Sequence, residues 1–121
     1  MSITSDLIRG HTDTIILSVL EKNDNYGYKI NRMIYRITNG AYELKEATLY
    51  TAFKRLEESG CISSYWGDEA TGARRRYYTI TNHGRAVYRR LLGEWEETKS
   101  LIDRLVGDGD EKNNSEVNDD L

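Results

Sequence analysis

The sequence predicts a mainly α fold carrying a small β wing, and three observations predict it. Between Glu46 and Ser59 the apolar residues Leu49, Ala52, Phe53 and Leu56 recur at helical spacing. Directly after, Cys61–Gly67 and Ala73–Thr81 form two β-rich runs joined by the short Gly-bounded segment Asp68–Gly72, a hairpin signal. Beyond Thr81, the positions Tyr88, Leu91, Trp95, Thr98, Ile102 and Leu105 are spaced 3, 4, 3, 4 and 3 apart, a largely apolar stripe along one long helix. With two helical stretches upstream, this order is that of a winged helix-turn-helix followed by a long C-terminal dimerisation helix.

The elements follow in turn. Leu7, Ile8, Ile15, Ile16, Val19 and Leu20 predict a first helix over Ser5–Glu21, with Ser5 and Asp6 as caps. Gly10 and the threonines weaken its intrinsic propensity, so packing must hold it. Lys22–Asn25 reads as a turn. Asn25 then caps a second helix reaching about Thr38, with Tyr26, Ile30, Met33, Ile34 and Ile37 inward and Tyr28, Arg32, Tyr35 and Arg36 outward. Asn39–Gly40 ends it, and Ala41–Leu44 alternates weakly enough to predict a short strand added to the wing sheet. The third helix, Glu46–Ser59, stops at Gly60. In the hairpin, Ile62 and Trp66 share one face, as do Tyr78 and Ile80, with Arg74 and Arg76 further out. Thr81 caps the last helix, about Asn82 to Val106.

Composition narrows the function classes. The formal charge of -3 conceals a division: the chain holds 17 Lys+Arg and 20 Asp+Glu, of which one and six fall in Gly107–Leu121. The preceding residues are therefore net basic by two, and a basic working face is compatible with an acidic chain. Three regions are expected: a winged domain over residues 1–81, a dimerisation helix over 82–106 and a disordered acidic tail over 107–121. A lone Cys61 offers no intrachain disulfide, and no apolar run approaches a membrane span, so a soluble cytoplasmic chain with no membrane partner is expected. The histidines His11 and His83 are isolated, Cys61 has no nearby His and suits the core, and no metal-ligand spacing or phosphate-cradling Gly loop occurs. The expectation is a protein that is not an enzyme and needs no cofactor.

The chemistry legible in the chain is that of duplex DNA binding. Lys45, Lys54 and Arg55 flank a small outer face made by Ala47 and Thr51, which lets the helix approach base edges closely. Thr48 and Tyr50 supply hydroxyl donors to phosphate. Arg74, Arg75 and Arg76 lie where a wing meets phosphates or the minor groove. A helix as long as the last one needs another surface for its stripe, and a second copy of the chain is the natural source. Trp95 occupies an a position of that stripe; two such indoles across a two-fold axis would leave a slot for a flat aromatic molecule, with Leu92 and Lys99 nearby.

These residues also carry a resemblance. Tyr26-Gly27-Tyr28-Lys29-Ile30, Ala47-Thr48-Leu49-Tyr50, Lys54-Arg55-Leu56-Glu57, Gly60 and Arg75–Gly84 together resemble the signature of PadR-type transcriptional regulators. The run Ile62–Glu69 and Trp95 are similar to the short members that respond to multiple drugs. The resemblance spans about Leu7 to Leu105. It implies a homodimeric repressor on a palindromic double-stranded operator, with Trp95 stacking on planar hydrophobic small molecules and Thr14 and Ser18 of the first helix beside it. The chain departs from the pattern at Thr51, where many members have proline, and at Lys45, where a small polar cap is common. Lys99 stands about where the multidrug regulator has an acidic group, so a preference for cationic drugs does not carry over. Two other readings fit the same sequence: a winged-helix protein-interaction module whose arginines dock acidic partners, and a DNA-binding regulator with no small-molecule effector.

Overall fold

A computed structural model describes residues 3–67 and 74–107, with side chains from Asp6 onward. The hairpin tip at Asp68–Gly72 and the acidic tail beyond Gly107, both anticipated above, lie outside the described residues. The order is α1 (Ile3–Arg9), α2 (Thr12–Lys22), β1 (Asn25–Tyr26), α3 (Gly27–Ile37), α4 (Glu46–Glu58), β2 (Ile62–Trp66), β3 (Arg76–Ile80) and α5 (Asn82–Val106). The chain divides after Tyr88 into two compact units.

Three boundaries differ from the sequence reading. One is the start of α3: Asn25, expected as its cap, and Tyr26, expected inside it, form β1, and Tyr26 precedes the helix without a side-chain cap. The expected first helix is two helices, broken at Gly10–His11. The Thr12 hydroxyl donates to the Arg9 carbonyl (2.7 Å), taking an acceptor that a continuous helix would use. As α1 begins at Ile3, Ser5 and Asp6 lie inside it rather than at its cap.

The expected strand at Ala41–Leu44 is absent, and the sheet takes Asn25–Tyr26 instead, in the order β1-β3-β2, all antiparallel. The reason is a competition for backbone groups. Asn31 of α3 accepts from the Leu44 amide (2.8 Å) and donates to the Leu44 carbonyl (2.6 Å). Thr38 does the same for Tyr42, both at 3.1 Å. The backbone groups a strand would pair are thus satisfied by Asn31 of α3 and by Thr38, the residue just beyond its end.

Both helices of the helix-turn-helix end in Schellman turns. After α3, Asn39 adopts φ 53° and Gly40 donates to the Tyr35 carbonyl (2.7 Å); after α4, Gly60 adopts φ 80° and Cys61 donates to the Leu56 carbonyl (2.9 Å). Ile37, expected inward on α3, is its last residue and is 73% exposed.

The core of the first unit is where α2, α3, α4 and the sheet meet: Ile16, Leu17, Leu20, Ile30, Ile34, Leu49, Ala52, Phe53 and Leu56, closed by Ile62, Tyr78 and Ile80. Phe53 stacks on Tyr78, centroids 4.0 Å apart. Cys61 is buried and free, as the sequence placed it.

The start of α5 is welded to this core. Thr81 caps it by accepting from the Gly84 amide (2.9 Å), and its hydroxyl also reaches the Gly60 carbonyl (2.6 Å). Gly84 sits so close to β2 that a Cβ there would lie 2.0 Å from the Cys61 carbonyl oxygen. Only glycine permits that approach.

Candidate nucleic-acid interface

α4 turns Leu49, Ala52, Phe53 and Leu56 into the core, which leaves Ala47, Thr51 and Lys54 exposed on the opposite side, with Thr48 half-buried on its flank. Ala47, Thr51 and Arg55 succeed one another every four residues and form a single outer row. No long side chain stands between Ala47 and Thr51, so the helix is narrow there and could enter a groove closely.

Lys45 precedes the helix in an extended conformation and provides no side-chain cap. Neither Lys45 nor Lys54 has a carboxylate partner among the described residues.

Two of the other expected contacts are engaged within the protein. Arg55 pairs with Asp13 of α2, and that hydrogen bond raises its already high pKa, so the guanidinium stays charged at any working pH. Tyr50 folds its ring edge-on to Phe53 (5.6 Å) and lays its hydroxyl over the start of α3, 2.7 Å from where a Gly27 Cβ would stand. Gly27 and Tyr50 therefore depend on each other, and the Tyr50 hydroxyl lies beside the first turn of α3, whose amides have no intrahelical acceptor.

The three wing arginines separate by face, as strand alternation dictates. Arg74 and Arg76 lie over the Trp66 ring at 5.1 and 6.0 Å, whereas Arg75 lies over Tyr26 at 4.9 Å on the other side of the sheet. That second side carries an aromatic ladder, Tyr26–Tyr77–Tyr65, with successive centroids 5.3 and 5.6 Å apart. Tyr65 closes it by donating to Asp24 (2.6 Å).

Sequence spacing missed Glu57. Its carboxylate accepts from Ser64 of β2 (2.7 Å) and lies 3.5 Å from Arg76 of β3, bracing the wing on α4. Residues 19 apart in sequence share no periodicity, so only the hairpin register, Trp66 opposite Arg76, brings the pair within reach.

In the second unit, α5 continues without a break to Val106. Trp95 is 37% exposed and Lys99 places its ammonium 5.9 Å from the indole, while Lys99 also pairs with Glu96 (3.0 Å). Leu92, Thr98, Ile102 and Leu105 are exposed and Leu91 half-buried, as is Tyr88 at the end of the first unit. Thr14 and Ser18 are half-buried on α2 in the first unit.

A profile of the transcriptional regulator PadR-like family matches residues 16–90. An uncharacterized protein X of Lysinibacillus sphaericus is 46% identical over 104 residues, 86% of this chain and 95% of that one. The structure of a transcriptional regulator from Clostridium thermocellum is 50% identical, covers 87% of this chain and 99% of its own, and superposes with a TM-score of 0.78. A PadR family transcription regulator from Clostridium difficile is 36% identical over 80% of this chain and 99% of its own, with a TM-score of 0.69. On the family match, the shared architecture and the helix-plus-wing geometry, this chain belongs to the PadR-like family of transcriptional regulators, which are DNA-binding proteins of winged-helix fold.

Proposed function

We propose that this regulator is a cytoplasmic homodimeric repressor that binds a palindromic operator and is released by planar hydrophobic compounds. The winged region, residues 1–81, does the DNA binding, residues 82–106 dimerise, and occupation of a promoter represses it.

The observation that carries the assembly is the α5 stripe. Ile102 is 50% and Leu105 80% exposed in the single chain, and an apolar seam sustained over nearly three heptads is stable only when covered. A two-fold partner presents the same stripe and covers it. Two copies of α4 are then set to read half-sites about one helical turn apart.

For the DNA contacts, the bare Ala47–Thr51 face serves for base edges. Lys45, Thr48, Tyr50, Lys54 and Arg55 serve for flanking phosphates, with Arg74, Arg75 and Arg76 on the wing. The Tyr50 hydroxyl beside the start of α3 supports the phosphate role, because helix N-terminal amides favour anions.

Effector binding rests on Trp95, whose half-exposed indole lies within the same stripe, with Leu92 and Lys99 beside it and Thr14 and Ser18 assigned by resemblance. A ligand that binds one spacing of the two α4 helices better than the other shifts the dimer towards that state, and release follows if the favoured spacing misses the operator.

The test is fluorescence titration with planar dyes. Quenching of the indole at one ligand per dimer is expected, and Trp95→Ala should retain dimerisation and DNA binding while losing several-fold in dye affinity, a stacking partner being worth about 0.5–1.5 kcal/mol beyond area. Trp66 sits in the wing and also fluoresces, so the variant is the necessary reference. Equal dye affinity in Trp95→Ala, or no quenching of the parent by any planar compound, would reduce Trp95 to dimer core.

A further inference from the structure

The first unit contains a cleft of about 320 Å³ between the α1–α2 elbow and α4, lined by Arg9, Thr12, Ala47, Thr48, Thr51 and Arg55. Three of these residues, Ala47, Thr51 and Arg55, are the exposed outer row of α4 itself. The opposite wall comes from the elbow, which the sequence reading took for the middle of one continuous helix. The break at Gly10–His11 is what sets Arg9 beside α4.

The charges in the cleft are arranged unusually. Both of its cations are guanidiniums, and each is held by an aspartate of the α1–α2 segment: Arg9 by Asp6 at 2.8 Å and Arg55 by Asp13. Both arginine side chains are about half exposed, 49% and 53%. The Thr48 and Thr51 side chains, whose hydroxyls are suitable donors, line the same cleft; the Thr12 hydroxyl is committed to the Arg9 carbonyl. A guanidinium fork binds carboxylate and phosphate by the same geometry, and exposed ion pairs of this kind are weakly held and easily exchanged.

We infer that this cleft seats a phosphodiester of the duplex backbone, next to the stretch that α4 reads, and that Asp13 competes with it for Arg55. The inference rests on the proposed placement of α4 in the groove and deepens it, adding Arg9 to the interface and making the elbow a third DNA contact after α4 and the wing. In the free protein Asp6 and Asp13 hold the two guanidiniums in place. On binding, a phosphate replaces the Asp13 carboxylate at Arg55 and approaches Arg9 across the cleft. A phosphate contact is blind to sequence, so the effect must show on any duplex.

The test uses the full chain and a fluorescein-labelled mixed-sequence duplex titrated over a series of KCl concentrations. Arg9→Ala should weaken binding about eightfold at 0.1 M salt and make the salt slope shallower by about 0.9, the signature of one lost phosphate contact. Arg9→Lys should keep the slope, since counterion release follows the charge, while losing part of the affinity with the fork. Asp13→Asn should bind more tightly than the parent, and the gain should vanish in Asp13→Asn/Arg55→Ala.

If Arg9→Ala keeps its helical circular dichroism but leaves affinity and slope unchanged while Arg74→Ala/Arg75→Ala reduces both, the elbow is no contact and the inference falls, with the α4 and wing reading intact. A parent chain that binds no duplex would instead overturn that reading, and this inference with it. Should Arg9→Ala fail to fold, Asp13→Asn decides: tighter binding through Arg55 supports the cleft, and equal or weaker binding, or a gain that survives the second substitution, overturns it.

Discussion

Tyr78 shows how much a single side chain carries at the junction of core and wing. Its ring is stacked on Phe53 and 5% exposed, the Arg76 guanidinium lies 6.0 Å from the ring centre, and burial raises its phenol above the ordinary 10.0. The sign follows from linkage. A phenol whose folded pKa is raised is favoured in its neutral form, so its contribution is fully present below pH about 10 and is lost as pH rises through the folded pKa. Tyr42, also raised by burial, adds to the same trend. Unfolding free energy should therefore fall above pH 10, and Tyr78→Phe should make that fall shallower in denaturant titrations. An unchanged alkaline slope in Tyr78→Phe would mean that the phenol is not held neutral by the fold.

At the scale of elements, what could be read from the chain and what could not divides along one physical line. Periodicity is local, and it located α4, the two hairpin strands and the whole of α5, including the Thr81 cap. The inward face of α4 followed from the same spacing, whereas on α2 it found Ile16 and Leu20 but passed over the fully buried Leu17, and Ile15 and Val19 are only half-buried. The short strand was placed at Ala41–Leu44 instead of Asn25–Tyr26 because strand pairing depends on which backbone groups remain unsatisfied. Asn31 and Thr38 decide that from another element, invisibly to any window of sequence. The elbow at Gly10–His11 was signalled by Gly10 but read as a weak helix. Of the candidate DNA face, the outer row of α4 was legible from helical projection. The engagement of Arg55 by Asp13, and of Arg76 by Glu57, was not, since each pair closes only through tertiary structure.

Gly84 gives the sharpest element-scale prediction. A methyl group there would sit 2.0 Å from the Cys61 carbonyl oxygen and 2.8 Å from Ile80 Cγ1, and neither backbone nor core can yield cheaply. Gly84→Ala should cost on the order of 3 kcal/mol. The thermal midpoint should drop by roughly 10–20 °C for a domain of this size. A midpoint within a few degrees of the parent would show that α5 does not press on β2 as described.

For the whole molecule the governing fact is a 25-residue helix whose stripe, from Trp95 onward, stays exposed in the single chain. Leu91→Asp with Ile102→Asp places charges in that stripe, and the variant should sediment as monomer or lose its fold. Duplex affinity should fall with it, since a monomer holds one reading helix. A parent chain that sediments as a folded monomer at micromolar concentration would contradict the proposed dimer outright.

In the proposed mode of binding α4 and the wing divide the work, the helix selecting sequence and the hairpin arginines supplying charge. The most direct measurement compares duplex affinities across a salt series for the parent, for Arg74→Ala/Arg75→Ala and for Thr51→Ala, on one preferred duplex and a set of single-base variants of it. The predicted result is a loss on every duplex for the arginine variant, with a slope shallower by about 0.9 for each phosphate contact removed. Thr51→Ala should keep the parent's slope and change only the ranking of the duplexes, by about 1–3 kcal/mol at the base it contacts. An arginine variant with the parent's affinity and slope, or a Thr51→Ala variant that ranks every duplex as the parent does, would contradict that division.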